Sequence, residues 1–274
     1  MRPAERQAWA LVQRHVFPEK DDPVSFYERT RWAMALAQIL EAPHGVVVEI
    51  GSGYGVGTRC LSMADGVGFA IGVDADADLL ARSRRPDDIA QFVAADVEGT
   101  LPFRASSVDC ILAPEVYEHL YHPERFLEEA YRVLRPGCPL VLTTPNTESL
   151  VLMVLRRLPR PWAQRILTRE GRAKANLHPE FFGDLEAGSP HGHRIEGASL
   201  ADMERMAATY GFHQVRGTTW GLPFSAGFWG RLPRSVREFI VRRFLAMGIG
   251  LRHIFIVWQR DERPSSRAIE ASRT

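Results

Sequence analysis

Residues 46–61, VVVEIGSGYGVGTRCL, decide how the rest of the chain is read. Val46, Val47, Val48 and Ile50 around Glu49 make an apolar run of strand length. Gly51, Gly53, Gly55 and Gly57 then alternate before Thr58 opens a helical pattern. Strand, glycine-rich turn and helix are the unit with which nucleotide-binding sheets bring backbone against a ligand. Glycine has no Cβ and tolerates positive φ. The N–H groups that open the next helix can then face an anionic or polar group. The spacing here is G-x-G-x-G-x-G with an acid two residues ahead, and a dinucleotide fingerprint wants G-x-G-x-x-G instead.

Downstream, the pattern of strand, acid and helix repeats. Residues 68–73 read as a second strand ending at Asp74, 19 residues after Gly55. A carboxylate at that place can accept from both hydroxyls of a ribose. Residues 76–84 read as a helix and 91–95 as a third strand that ends at Asp96. Leu101-Pro102-Phe103 and a polar turn lead to a fourth strand over 108–113, followed by Pro114-Glu115-Val116-Tyr117-Glu118-His119-Leu120. An amphipathic helix carries Phe126, Leu127, Ala130, Tyr131 and Leu134, with Gly137 as its C-cap, and a fifth strand spans 140–144. Alternating βα units predict a parallel sheet with helices on both faces, and ligands in such sheets sit outside the carboxyl ends of the strands. Glu49, Gly51, Asp74, Asp96, Glu115 and Thr144 to Asn146 all fall at those ends.

Around this core, residues 3–16 and 24–41 have helical periodicity. Tyr27 and Arg31 lie one turn apart, placed either to reach over the ligand or on an exposed face. The stretch 147–195 is basic and apolar, with Arg156 and Arg157 among leucines. It reads as a lid or an interfacial patch, or as an ordinary amphipathic helix packed on the core. A sixth strand is expected over 213–219, an aromatic loop over 224–230, a helix over 236–247 and a seventh strand over 252–259. The polar tail 261–274 is expected to be disordered.

Composition sets the outer bounds. Apolar residues make up 45% and charged residues 24%, as in ordinary globular domains, and a net charge of +1 gives no basic stripe for nucleic acid. Cys60, Cys110 and Cys138 are widely spaced and carry no metal-ligand pattern. The charged start MRPAERQAWALVQRH has no apolar signal region, and no window offers 18 uncharged apolar residues. A cytoplasmic location and no transmembrane segment are expected, with peripheral membrane contact through the 147–195 stretch left open.

The E-x-G-x-G-x-G turn, Asp74, Asp96, the LPF-x₄-VD run and EVYEHL … EEAYRVLRPGCPLVLTTPN together resemble class I S-adenosylmethionine (SAM) dependent methyltransferases. The likeness is to the UbiE/UbiG-like, or type 11, group. The resemblance implies an α/β, Rossmann-like seven-stranded methyltransferase sheet, mostly parallel with the last strand antiparallel, with N-terminal helices and a helical lid insertion after strand 5. It implies one domain over 1–260, divided as N-terminal helices 1–44, cofactor core 45–146, lid 147–195 and the remaining sheet 196–260. SAM would be held by Glu49, Gly51, Ser52, Gly53, Gly55, Asp74, Ala75, Asp96, Val97 and Glu115, with Asp96 on the adenine amino group. The reaction implied is methyl transfer to a small-molecule acceptor of hydrophobic kind, foremost at a hydroxyl of a quinone, a natural product or a lipid-linked sugar. C- or N-methylation by the same fold and a SAM-binding regulator without turnover are the alternatives, and an NAD(P) oxidoreductase is a more distant one. His119 and His193 are the candidate general bases, with His178 and His191 behind them. No metal is assigned. Glu115, Glu118 and His119 would nevertheless share one face if that segment were helical, a set suited to a divalent ion. Oligomeric state is not legible.

Overall fold

The computed structural model describes residues 2–16, 18, 23–85, 89–149, 198–220 and 253–262, with isolated positions between 157 and 165 and between 233 and 243. Two helices, α1 (Pro3–His15) and α2 (Pro23–Ile39), precede the alternating core. Pro3 at the first turn of α1, Glu5 beside it and Arg14 and His15 in the last turn all suit the helix dipole. The core runs β1 (His44–Ile50), α3 (Val56–Ser62), β2 (Val67–Asp74), α4 (Ala77–Ser83), β3 (Gln91–Ala94), β4 (Cys110–Pro114), α5 (Pro123–Val133) and β5 (Pro139–Pro145). Then come α6 (Leu200–Thr209), β6 (Phe212–Trp220) and β7 (His253–Arg260). Side chains set several of these starts. Asp76 accepts the Leu79 N–H at 2.8 Å to cap α4, and Ser199 with Asp202 forms a capping box on α6.

The strands form one sheet in the order β3-β2-β1-β4-β5-β7-β6. β1, β2, β3, β4 and β5 pair in parallel, and β7 runs antiparallel to both of its neighbours. The mostly parallel seven-stranded sheet expected from the sequence is therefore present, with its one reversed strand lodged between β5 and β6. That reversal matters for the site. His253, the first residue of β7, pairs with Pro145, the last of β5, so it lies at the carboxyl edge where the parallel strands end.

The inner strands are covered on both faces, which is why β4, β5 and β7 read as largely apolar runs, whereas β6 at the edge is mostly polar and half-exposed. In β7, Ile254, Ile256 and Trp258 pack with Phe126, Leu127, Met203 and Phe212 of α5, α6 and β6. Phe255 and Val257 point the other way, toward Val12, Leu36 and Leu61 of α1, α2 and α3. Cys60 and Cys110 are free and buried within that second layer, and burial pushes the Cys60 thiol up to about 12. They pack as small apolar residues. No helix among the described residues is long and apolar enough to cross a membrane. The expected lid over 147–195, the aromatic loop 224–230, the helix 236–247 and the tail 261–274 lie wholly or almost wholly outside the described residues.

Phe126 is fully buried where α5 meets the sheet. Phe126→Ala should therefore destabilise the protein by about 3–5 kcal/mol in urea or guanidinium titrations, because a ring is lost and the sheet cannot collapse into the space.

Candidate functional site

The turn out of β1 passes through three left-handed residues, with φ of 68° at Gly51, 51° at Gly53 and 71° at Gly55. A Cβ on Gly51 would stand 2.6 Å from the Val116 side chain, so the backbone there approaches the next strand connection as only glycine allows. At Gly53 the reverse holds. A Cβ would meet nothing within 4 Å, and its place opens into a pocket.

Asp74 fixes that turn from the end of β2. Its carboxylate accepts the Gly53 N–H at 2.8 Å and the Asp76 N–H at 3.0 Å, while the Ser52 N–H donates to the Val73 carbonyl at 3.0 Å. Two backbone donors orient the carboxylate, and each oxygen keeps a further lone pair for a ligand hydroxyl. Ala75 follows, exposed. Asp96, two residues past β3, is exposed and accepts the Glu98 N–H at 2.9 Å, and Val97 beside it is buried.

Helix α2 forms the opposite wall of the pocket. Glu28, Arg31 and Trp32 face Glu49, Ser52 and Gly53 across it, and Pro114 closes the β4 end. Arg31, placed by sequence either over the ligand or on an exposed face, is thus a lining residue, with its guanidinium 2.5 Å from Glu28. The side chain of Tyr27 lies outside those described. Glu49 is 1% exposed and accepts a hydrogen bond from the Thr58 hydroxyl. Burial pushes its carboxyl up to about 8, against the opposing pull of Thr58 and Arg31. The Ser52 hydroxyl is buried with no partner among the described residues.

Beyond Pro114 the edge continues in a second group. Glu115 has φ of 55°, a left-handed conformation unusual for a residue with a side chain, and its N–H donates to the Thr143 carbonyl at 2.9 Å and hydroxyl at 3.1 Å. Its Oε2 lies 2.9 Å from Nδ1 of His253, with the two side chains 18% and 15% exposed. Burial alone would raise the Glu115 carboxyl. His253, Arg31 and Thr143 outweigh it and hold the group down at about 2. Glu118 is 1% exposed and accepts from the Thr144 hydroxyl at 3.2 Å; burial first, and then the Glu115 charge, push it well above the carboxylate range.

The segment 115–119 is not the helix that would line up Glu115, Glu118 and His119. Only Tyr117–His119 forms a single 3-10 turn, and Glu115 stands outside it with its carboxylate turned to His253. Among the described residues no three His, Cys, Asp or Glu side chains are disposed to hold a metal ion. His119 donates its N–H to the Val116 carbonyl at 2.9 Å and is not one of the pocket's lining residues. His178, His191 and His193 lie outside the described residues. His253 was missed from sequence. A histidine opening an apolar strand looks like strand, and its only signal is that an antiparallel β7 must begin where β5 ends.

With this geometry in hand, comparison with known proteins is informative. Residues 48–142 match the family model described as a methyltransferase domain. A probable SAM-dependent methyltransferase of Mycobacterium tuberculosis is 30% identical over 173 residues, 60% of this chain and 61% of that protein. The mitochondrial ubiquinone biosynthesis O-methyltransferase of Rattus norvegicus is 38% identical over 60 residues, 22% of this chain and 17% of that one. A SAM-dependent methyltransferase from Archaeoglobus fulgidus superposes with a TM-score of 0.52 at 15% identity, over 85% of this chain and 94% of its own, which bears on the fold. The chain spans 30%, 38% and 61% of the length of three curated relatives that it matches. Over residues 48–142, from the strand before the glycine turn to the middle of β5, the chain is thus similar to methyltransferase domains, and the probable SAM-dependent methyltransferase of Mycobacterium tuberculosis extends that similarity to 173 residues.

Proposed function

We propose that the chain binds SAM in the pocket beside Gly53 and transfers its methyl group to a small molecule, foremost at a hydroxyl. The observation that carries this reading is the composition of the pocket. Open space at Gly53 is flanked by the Ser52 hydroxyl, which has no partner among the described residues, by the lining residues Glu49 and Arg31, and by the oriented carboxylate of Asp74. An acid and a guanidinium on facing walls suit the ammonium and carboxylate of an amino-acid group. Asp74 suits a ribose and Asp96 an adenine amino group.

Bound there, SAM supplies an activated methyl group on a sulfonium whose departure leaves a neutral thioether. The chain's own work is then to hold, align and exclude. Glu49 takes the ammonium, Arg31 releases part of its charge from Glu28 to the carboxylate, and Trp32 with the rest of α2 keeps water off the pocket. Alignment of an acceptor in line with the transferable methyl carries much of the rate. A hydroxyl acceptor agrees with the name of the rat relative, whose 60 matched residues include only part of the core, and the apolar, basic stretch 147–195 favours a hydrophobic one.

Two outcomes follow from these assignments. Asp74→Ala removes the acceptor for the ribose and frees the Gly53 N–H, and should weaken S-adenosylhomocysteine binding by about 1–3 kcal/mol in calorimetric titration. The second concerns Glu49. A carboxyl whose folded pKa is raised favours the folded state while it is protonated. That contribution is complete below the ordinary value of 4.5 and is lost as pH climbs toward about 8. In urea titrations the stability of Glu49→Gln relative to the unchanged protein should therefore grow across that interval. SAM affinity should rise over the same interval in the unchanged protein, as Glu49 ionises, and stay flat and weaker in Glu49→Gln.

A further inference from the structure

Helix α2 lies outside residues 48–142, yet it supplies the charged wall of the pocket. Arg31 and Trp32 follow Glu28 by three and four residues, so one face of the helix carries all three. Gly57 lets that face come close. A Cβ there would overlap the Trp32 ring and stand 2.5 Å from Oε1 of Glu49, so the indole and the buried acid meet over the first turn of α3. The Arg31 guanidinium lies 5.5 Å from the centre of the Trp32 ring and 2.5 Å from Oε2 of Glu28. Its charge is felt beyond that pair, at Glu49 across the pocket and at Glu115 and Glu118 along the sheet edge. Among the described lining residues two carboxylates therefore meet one guanidinium. Glu49 is matched to the ligand's ammonium. Glu28, 8% exposed, is set against the guanidinium instead.

We propose that Glu28 is a specificity-determining residue: by sharing the charge of Arg31, it makes the pocket favour a ligand with a sulfonium over the neutral thioether that methyl transfer leaves. The inference rests on the methyl-transfer reading above and adds to it how the spent cofactor is told from the fresh one. SAM carries two positive groups, its ammonium and its sulfonium, and one carboxylate. When the methyl carbon bonds to the acceptor, the carbon–sulfur bond breaks and its electron pair stays on sulfur. S-adenosylhomocysteine therefore keeps one charge of each sign. A lone guanidinium would grip the carboxylate of both ligands alike and would also repel the sulfonium, which favours the product. Set against Glu28, its field falls off faster with distance than that of a single charge. A carboxylate in contact with the guanidinium still meets its N–H donors, whereas a sulfonium farther off feels mainly the acids. The low exposure of the pair keeps solvent from screening that difference away. Glu28 thus weakens the hold on the ligand as a whole and raises the preference for its charged form, so the spent cofactor leaves more readily than SAM.

The test is calorimetric titration of the full chain, at neutral pH and low ionic strength, with SAM, S-adenosylhomocysteine and sinefungin. The last places an amine near the position of the sulfonium and has no methyl group to transfer. The unchanged protein should bind SAM and sinefungin more tightly than S-adenosylhomocysteine. In Glu28→Gln the ratio of SAM to S-adenosylhomocysteine affinity should fall at least about fivefold, with sinefungin following SAM. Glu28→Asp keeps the charge and should hold the ratio within about twofold of the unchanged protein. In Arg31→Gln both ligands should weaken while the ratio rises at least about threefold, because Glu28 then stands unopposed. A loss of shape alone would weaken both ligands in parallel and leave the ratio where it was. A ratio that stays within about twofold in either Gln variant that folds would therefore overturn the role of Glu28 and leave the cofactor reading standing. Failure of the unchanged protein to bind any of the three would overturn the cofactor reading, and this inference with it.

Discussion

Three left-handed residues in five turn the chain out of β1, and the Asp74 carboxylate at the end of β2 receives the N–H of the middle one. Without that bond the loop has little reason to hold one shape, since glycine loses more backbone freedom on ordering than any other residue. The tie also joins neighbouring strands of the parallel sheet at their carboxyl ends, beside the bond from the Ser52 N–H to the Val73 carbonyl. It leaves an open cradle at Gly53, a buried hydroxyl at Ser52 and the side chain of Glu49 pointing into the same space. The pocket is a consequence of how the turn is closed.

Charge is the second constraint. Glu28, Glu49, Glu115 and Glu118 gather around Arg31 and His253, and Glu49 and Glu118 are almost completely buried. Buried charges are costly unless paired, and the acids settle the conflict differently. Glu115 stays ionised because a histidine lies against it, whereas Glu49 and Glu118 are driven toward their neutral forms. A cationic ligand beside Glu49 would relieve the first of these, so the pocket carries an electrostatic deficit that a sulfonium or ammonium group would fill.

Much of this was legible in the sequence, and the reasons for the exceptions are physical. Every strand of the sheet falls within two residues of its expected bounds, and the inner strands β1, β4, β5 and β7 owe this to burial that leaves largely apolar runs. Glu49, Ser52, Gly53, Asp74 and Asp96 could be placed at the carboxyl edge because parallel βα units put them there. The segment 115–119 defeated the same reasoning. Its i, i+3, i+4 spacing suggests a helical face, yet the left-handed Glu115 breaks the helix before it starts, and nothing in the residue type announces that conformation. His253 was invisible for a different reason. Its importance comes from a partner 138 positions earlier, brought beside it only by the insertion of β7 between β5 and β6.

The four acids at the ends of β3, β2, β1 and β4 also form a gradient. Asp96 is exposed, Asp74 half-buried, Glu49 fully buried, and Glu115 is enclosed but paired. Electrostatic interactions weaken in water and strengthen away from it. An exposed acid at β3 is therefore suited to neutral donors such as an amino group on a ring, and a half-buried one at β2 to hydroxyls. The sheltered acid at β1 is where a full positive charge would be felt most strongly, and at β4 the Glu115 carboxylate keeps its charge beside His253. From β3 to β7 the edge thus passes from an exposed acid to sheltered and paired ones, an order that would suit a ligand with a neutral base at one end and a cation at the other.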